Sequence, residues 1–362
     1  MLTSYVEIES IAQIENANQK RFAHCAFQDI DFTKISEEKV GELSFVDCIF
    51  MGCKMSSAMH LGEDCVVLTS LKKPYNQFRA KMYSPNELYE QNSDGQTFDS
   101  EVYSHYLHTG KQSQDISETL ARTMHDHSIL DALYDFLAQY NEKNVVAIMG
   151  GHGMLRTDED YAKIVQLAKS LTEQGKLLVS GGGPGAMEAT HLGAWLAGRC
   201  DEDVEEALSI LVDAPHYSDA RWLETAFEII SHFPQQDCYK SVSIPTWLYG
   251  HEPSTPFATH IAKLFENALR EDGLLTIAKG GVVYAPGSAG TMQEVFQDAV
   301  QNHYLSFGYS SPMIFLGIDY WSKTIPVYNL LTSLSETKKY KNLQLSITDD
   351  VNEIVKTLFD FY

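Results

Sequence analysis

The chain has 362 residues, of which 44% are hydrophobic, and its 49 acidic against 27 basic residues give a formal net charge of −22. This length predicts about two domains, and the hydrophobic content is ordinary for a globular protein. The acidity argues against nonspecific binding to nucleic acid or to an anionic membrane, but not against a small anionic ligand, because backbone dipoles at one site can outweigh the net charge.

Neither the first residues nor any apolar run suggests export or insertion into a membrane. Residues 1–10 contain no basic segment followed by an apolar one, as a signal peptide would, and no stretch reaches the ~18 apolar residues of a membrane helix. The six cysteines contain no CxxC pair and are interpreted as reduced thiols. These features predict a cytoplasmic protein without a bound metal or other cofactor.

Residues 1–75 are predicted to form an accessory β-rich element. Phe22, Phe27 and Phe32 are spaced five residues apart, and Phe45 and Phe50 repeat that spacing. Such a period resembles the pentapeptide-repeat β-helix, in which a bulky residue fills the coil at fixed intervals. The two groups are out of phase, because Phe45 follows Phe32 by thirteen residues. A few short strands without repeats therefore remain the alternative.

The next two segments differ in their apolar pattern. Residues 76–116 are polar and aromatic and predict a linker or an extended segment. From Ser117 to Tyr140 the apolar residues recur at helical spacing. His125 and His127 lie two positions apart on this predicted helix, hence on different faces, which argues against a joint metal site.

From residue 145 onward, segments typical of strands and helices alternate, which predicts a parallel sheet with crossover helices. The predicted strands are Val145–Met149, Leu177–Val179, Ala207–Val212, Val242–Leu248, Val282–Ala285, Met313–Gly317 and Leu343–Ile347. The predicted helices are 158–174, a segment ending near 197, 222–233, 257–271, 291–304 and a last one from 351. Residues 117–362 are therefore predicted to form an α/β domain with a Rossmann-like, doubly wound parallel sheet.

Three glycine-rich turns follow predicted strands of this domain. In an open parallel sheet such turns gather beyond the carboxyl ends of the strands, where ligands bind, and a helix start adds a dipole that favours an anion. A nucleotide or sugar-phosphate site is therefore predicted, although the glycines could merely permit tight turns. The candidate binding residues are Gly150, Gly151, Ser180, Gly181, Gly182, Gly183, Gly185, Met187, Pro286, Gly287, Ser288, Ala289, Gly290 and Thr291.

The glycine spacing differs from that of the dinucleotide fingerprint GxGxxG and of the phosphate loop GxxxxGK[ST]. Instead, Gly181-Gly-Gly-Pro-Gly-Ala-Met187 and Pro286-Gly-Ser-Ala-Gly-Thr-Met-Gln-Glu294 resemble the GGGxxGxM and PGGxGTxxE motifs of the LOG family. This family was long mislabelled as lysine decarboxylases. The first motif is most similar to that of the bacterial nucleotide 5′-monophosphate nucleosidases. The resemblance covers roughly residues 145–304 and leaves residues 1–116 out.

The resemblance implies hydrolysis of the N-glycosidic bond of a nucleoside 5′-monophosphate to a free base and ribose 5-phosphate. It also implies a homodimer or higher homo-oligomer. Family members use the Glu at the end of the second motif and an Arg about fifteen residues before its Pro. These catalytic roles pass to Glu294 and to Arg270, which lies sixteen residues before Pro286.

Two departures from the family pattern bear on this expectation. Ser288 replaces the second glycine of the PGG motif, and the segment between Arg199 and Phe257 is longer than in the compact family core. His251 in that segment and Lys263 after it are possible pocket residues. A protein that binds a nucleotide as a sensor, without efficient hydrolysis, is therefore the alternative function.

Glu294 also has an alternative interpretation. Thr291-Met-Gln-Glu294 fits a capping box, in which Thr291 caps a helix and Glu294 bonds back to the cap. Such a role would explain Glu294 without catalysis.

Overall fold

A computed structural model describes residues 4–361, which divide into two compact units. The coil unit contains the residues up to Met82 together with Ser100–Asp135, and the sheet unit contains Tyr83–Asp99 and the residues from Phe136 onward. These divisions differ from the predicted boundaries after residues 75 and 116. No helix within residues 4–361 has the length and apolar character needed to cross a bilayer.

The coil unit begins with short strands that pair only in parallel. The strands are β1 (Val6–Ile8), β2 (Arg21–Ala23), β3 (Cys25–Gln28), β4 (Ser44–Val46), β5 (Ile49–Met51), β6 (His60–Leu61) and β7 (Val66–Leu68), with helices α1 (Ile11–Asn16) and α2 (Glu37–Gly41) between them. They form two sheets, of order β1-β3-β5-β7 and β2-β4-β6. Parallel strands from successive passes of the chain thus stack in register.

The chain turns between these strands at residues with left-handed backbone conformation. His24 and Asp29 have φ values of 58° and 54°, and Asp47 and Gly52, again five residues apart, have 51° and 63°. The buried phenylalanines fill the interior, and the rings of Phe27 and Phe50 stack with centroids 4.9 Å apart. Helix α2 lies in the interval that puts the two phenylalanine groups out of phase. We interpret this element as a short pentapeptide-like coil.

Residues 76–116, predicted to be a linker, contain helices α3 (Pro85–Tyr89) and α4 (Phe98–Thr109), and α5 (Ile116–Leu137) follows. Residues 100–135 belong to the coil unit, and Glu118 of α5 is fully buried there. Its carboxylate lies 2.9 Å from Lys73 Nζ, His105 Nε2 and Arg122 Nε. Burial raises the pKa of Glu118, but the hydrogen bonds from His105, Lys73 and Arg122 prevail and hold it at about 2.

The sheet unit is built on seven parallel strands, which confirms the predicted α/β class. They are β8 (Val145–Met149), β9 (Leu177–Ser180), β10 (Ser241–Ser243), β11 (His260–Ile261), β12 (Val282–Tyr284), β13 (Pro312–Leu316) and β14 (Gln344–Thr348). Their order is β11-β10-β9-β8-β12-β13-β14. The chain therefore builds outward from β8 in one direction and then returns to add β12 on its other side. This reversal places a topological switch point between β8 and β12, where ligands of open α/β sheets bind.

Helices connect these strands and bury their apolar faces against the sheet. They are α6 (Glu159–Glu173), α7 (Ala186–Trp195), α8 (Asp201–Leu211), α9 (Trp222–His232), α10 (Asn267–Ile277), α11 (Ala289–Tyr304), α12 (Val327–Glu336) and α13 (Val351–Phe359). One core cluster joins residues of β8, β9, β12 and β13 to α6 and α7.

Two predicted elements of this unit are wrong. The segment 207–212, predicted as a strand, belongs to helix α8, whose buried residues Val204, Ala207 and Leu211 follow helical spacing. The helix predicted at 257–271 begins only at Asn267, because the apolar run before it contains the short strand β11. Continuous apolar runs fit a buried strand and a buried helix equally well, so their periodicity could not separate the two.

Candidate functional site

The three glycine turns meet at the switch point. The Gly151 amide donates to the carbonyl oxygen of Pro286 at 3.0 Å, and the Ala186 amide donates to that of Gly151 at 3.2 Å. Gly185 has φ 69°, and a Cβ atom there would lie 2.4 Å from the Gly151 carbonyl oxygen. Only glycine permits this close approach of the two backbones. The glycines of these turns therefore allow the turns to pack directly against each other.

The turn after β12 leads directly into helix α11. Ser288 is the N-cap residue, its side chain makes no capping bond, and residues 288–290 are exposed. The first amides of a helix have no partner within the helix, and the helix dipole adds a partial positive charge at that end. The Tyr320 hydroxyl donates to the carbonyl oxygen of Gly287 at 2.6 Å and braces the turn from the β13 side. The exposed helix start therefore suits a phosphate group.

The predicted capping box at Thr291 and Glu294 is wrong. Because α11 begins at Ala289, Thr291 already lies within its first turn, where its side chain is buried against Gly287. Glu294 lies one turn further along and is not the third residue of the helix. A capping role consequently does not explain this carboxylate.

Glu294 lies close to Arg270 of the neighbouring helix α10. Burial raises the pKa of Glu294 to about 7, the positive charge of Arg270 lowers it, and Glu271 raises it. The Arg270 Nε donates to the carbonyl oxygen of Ile244 at 3.2 Å, and its guanidinium covers Gly181, where a Cβ atom would lie 2.3 Å from Nη2. Arg270 thus lies on the glycine turn after β9, and its charge is near enough to Glu294 to lower the pKa of that carboxylate.

A small cavity adjoins Arg270 and this turn. Its volume is about 30 Å³, and its lining includes Gly181–Gly183, Met187 and the carboxylate residue Glu252. His152 Nδ1 and His251 Nε2 each lie 3.8 Å from Glu252 Oε1. His251, predicted as a possible pocket residue, is mostly exposed and does not line the cavity. Glu252 is the one that faces it.

Lys263, predicted as a possible pocket residue on the helix of Arg270, lies before that helix and is almost fully buried. Its Nζ donates to Asp99 Oδ1 at 2.6 Å and to Ser254 Oγ at 3.0 Å. Asp99 also accepts from Trp247 Nε1 at 2.9 Å. Lys263 therefore holds the loop that carries Ser254, a residue lining the small cavity, and does not line that cavity itself.

A buried hydrogen-bonded chain supports the turn after β9 from within the sheet. Ser180 Oγ accepts from the Gly182 amide at 3.1 Å and lies 2.8 Å from His191 Nε2, while His191 Nδ1 lies 3.0 Å from Ser241 Oγ. Burial lowers the pKa of His191 to about 3, so its imidazole is neutral at physiological pH. Nothing in the sequence distinguished this histidine, because its two partners lie on separate strands, Ser180 eleven residues before it and Ser241 fifty residues after it.

A larger cleft of about 520 Å³ opens on the other side of the turn after β12. It is lined by the glycine backbone at 151, 153 and 287, by Ser288 and Tyr320, and by three carboxylates, Asp158, Glu159 and Asp160. A cleft of this size accommodates a small-molecule ligand. The carboxylates favour hydroxyl or amino groups, whereas the exposed start of α11 favours an anion. The cleft therefore fits a ligand with an anionic end and a hydrogen-bond-donating end.

No family model matches the chain, and no curated protein matches it. Several solved structures resemble part of it. The molybdenum cofactor binding protein from the phototrophic bacterium Rippkaea orientalis is 16% identical with a TM-score of 0.38, and the match covers 59% of this chain and 96% of that one. The molybdenum cofactor carrier protein from Chlamydomonas reinhardtii is 17% identical with a TM-score of 0.36, covering 59% and 97%. TM1055 is 19% identical with a TM-score of 0.37, covering 59% and 96%. Likeness of this degree indicates neither a ligand nor a reaction for this chain.

Proposed function

We propose that this protein hydrolyses the N-glycosidic bond of a nucleoside 5′-monophosphate, releasing the free base and ribose 5-phosphate. The observation that carries the proposal is the partly buried Glu294, whose pKa is about 7, near Arg270, which itself lies on the glycine turn after β9. The resemblance of the two glycine motifs to the LOG family points to the same reaction.

Glu294 supplies the chemistry in this proposal. Cleavage of the bond between C1′ and the base nitrogen passes through an oxocarbenium-like state. An ionised carboxylate close to C1′ stabilises that positive charge and accepts a proton from the attacking water. A pKa of about 7 suits this task, because Glu294 is substantially ionised at neutral pH and still basic enough to take up the proton.

Binding of the remote phosphate orients the ribose. The exposed amides at 288–290 bind the phosphate, and the Arg270 guanidinium holds a ribose hydroxyl or a phosphate oxygen in a forked contact. Phosphate binding at a distance from the reacting bond contributes by fixing the position of C1′ relative to Glu294. Glu252 lines the small cavity, and its carboxylate accepts hydrogen bonds from the base once Arg270 has moved off Gly181.

The test is incubation of the purified protein with a panel of nucleoside 5′-monophosphates, with chromatography of free base and ribose 5-phosphate. Matched nucleosides without the phosphate should react far more slowly. If no monophosphate of the panel is cleaved, the proposed reaction is wrong.

A second candidate function is nucleotide binding without hydrolysis. The cavity beside Arg270 has a volume of about 30 Å³, close to the ~30 Å³ that one water molecule occupies in the liquid. With Arg270 folded onto Gly181, a base does not fit there, whereas the 520 Å³ cleft could still hold a ligand. Binding of a monophosphate by calorimetry, without release of base, would favour this function. By the family resemblance we also propose a homo-oligomer, which light scattering would test.

A further inference from the structure

Three cysteines occupy equivalent positions in successive passes of the coil. The parallel register pairs Ala26 with Ile49 and Ile49 with Val66. The residues immediately before these three are Cys25, Cys48 and Cys65, so the three cysteines stack in one line across β3, β5 and β7. Adjacent strands of a sheet lie about 4.8 Å apart. We call this line of residues the thiol ladder.

The ladder runs from the interior of the coil to its last strand. Cys25 and Cys48 are buried, with exposures of 4% and 0%, and Cys25 Sγ donates to the carbonyl oxygen of Ala23 at 3.4 Å. Cys48 Sγ also donates to the carbonyl oxygens of Phe22 and Val46, at 3.5 and 3.4 Å. Cys65 is partly exposed, and β7 is the last strand of its sheet. A solute can therefore reach the ladder at Cys65.

The fourth cysteine of this element provides an internal comparison. Cys53 does not belong to the ladder, because the bridge between Asp31 and Lys54 places it opposite Ile30. Its Sγ donates to the carbonyl oxygens of Phe27 and Met51, at 3.4 and 3.7 Å. Cys53 thus has the surroundings of a ladder cysteine without a thiol in register.

We propose that the thiol ladder is a redox site at which a hydroperoxide converts Cys48 and Cys65 into a disulfide. Paired residues on neighbouring strands have the Cα separation that a disulfide requires, about 4.4–6.8 Å. The position of Cys65 at the end of the ladder makes it the residue that meets the oxidant, and Cys48 is the resolving thiol one strand further in.

The reaction proceeds in two balanced steps. The Cys65 thiolate attacks the O–O bond of the hydroperoxide, forming Cys65 sulfenic acid and releasing an alcohol that takes up the thiol proton. The Cys48 sulfur then attacks the sulfenic sulfur, the S–S bond forms, and the hydroxyl group leaves as water with the Cys48 proton. Two thiols are oxidised and one hydroperoxide is reduced to an alcohol and water.

The disulfide would fasten the last strand of the coil. In the reduced protein β7 is held by backbone hydrogen bonds, such as those from Val66 to Cys48 at 2.9 Å and from Gly52 to Leu68 at 2.9 Å. The apolar side chains Val66, Val67 and Leu68 on this strand are exposed. A covalent link at Cys65 reduces opening of the strand, so oxidation should slow amide exchange across β7. This proposal is independent of the proposed hydrolysis.

The test treats the full-length protein with hydrogen peroxide, blocks remaining thiols and maps disulfides by mass spectrometry without reduction. We expect a peptide pair joined through Cys48 and Cys65 in the wild type and in Cys53→Ser. In Cys48→Ser, Cys65 should stop at the sulfenic acid and be trapped by dimedone. The wild-type map decides the proposal even if Cys48→Ser does not fold. Unoxidised Cys48 and Cys65, overoxidation of Cys65, or disulfides joining other cysteines or two chains would each overturn it.

Discussion

Replacement of Glu294 by glutamine separates the catalytic role of this residue from a structural one, because the two roles predict opposite effects. The substitution keeps the shape of the side chain and removes the negative charge. If the carboxylate acts as base and as charge stabiliser, base release should fall by about 10²–10⁴-fold. A structural role predicts instead a loss of stability with little effect on the rate of the folded enzyme.

The structure sets the size of the stability effect. Burial raises the pKa of Glu294 from 4.5 to about 7. A difference of this size corresponds to about 3 kcal/mol of preference for the protonated form, as an upper limit. When folding raises the pKa of a carboxyl group, the folded protein loses stability as the pH rises from the unfolded-state pKa through the folded-state pKa. The wild type should therefore lose up to about 3 kcal/mol between pH 4.5 and pH 7, and Glu294→Gln should not suffer this loss.

The experiment measures base release and denaturant unfolding at several pH values. We expect Glu294→Gln to be less active but more stable than the wild type above pH 7, with the stability difference vanishing near pH 4. The wild-type kcat/KM should rise with pH toward a plateau above about 7.

Asp298 provides a matched control. It lies one turn along the same helix, fully buried, where burial raises its pKa to about 7, and it accepts a hydrogen bond from Tyr284 at 2.8 Å. Asp298→Asn should reduce the loss of stability with pH and leave base release unchanged. Wild-type rates in Glu294→Gln, or equal losses of activity in both variants, would refute the reasoning.

Three further predictions follow from the same geometry. Arg270→Lys keeps the charge but removes the forked contact, so it should raise KM about tenfold or more in steady-state kinetics, and an unchanged KM would exclude that contact. Gly287→Ala should abolish nucleotide binding in calorimetry, because its Cβ atom would lie 2.2 Å from the hydroxyl oxygen of Thr291. Gly290→Ala is the control and should bind normally, because its Cβ atom would have no neighbour within 4 Å. Glu188→Gln should lower the free energy of unfolding by about 3–5 kcal/mol in urea denaturation, because it leaves the buried Arg156 without an ionic partner. In the wild type, Arg156 Nη2 lies 2.5 Å from the Glu188 carboxylate. A loss below about 1 kcal/mol would contradict this prediction.

Much of the sheet unit could be predicted from local patterns. Glycine turns after apolar runs identify strand ends, and their alternation with helices predicts a parallel sheet. The three turns were found in this way, whereas Arg270 and Glu294 were singled out by the resemblance of the motifs to the LOG family. The five-residue spacing of Phe22, Phe27 and Phe32 suggested a pentapeptide-like coil, with a few short strands without repeats as the alternative.

Other features depended on residues that are distant in the sequence. Glu252 faces the cavity while its neighbour His251 does not, and the direction of a loop side chain follows from what packs around it. Lys263 is paired with Asp99, which lies 164 residues earlier in the chain. No local period encodes such a pairing, because it arises only when the segments that carry the two charges are buried together.

The sequence by itself determined the α/β class, the three glycine turns and the five-residue period, because each is a short-range pattern with a direct effect on the backbone. Only the tertiary structure decided where helix α11 begins, which removed the capping explanation for Glu294. It also placed Arg270 on Gly181 and aligned Cys25, Cys48 and Cys65 in register. The physical reason is that helix starts, side-chain directions and strand registers are selected by the burial of the whole unit and not by neighbouring residues alone.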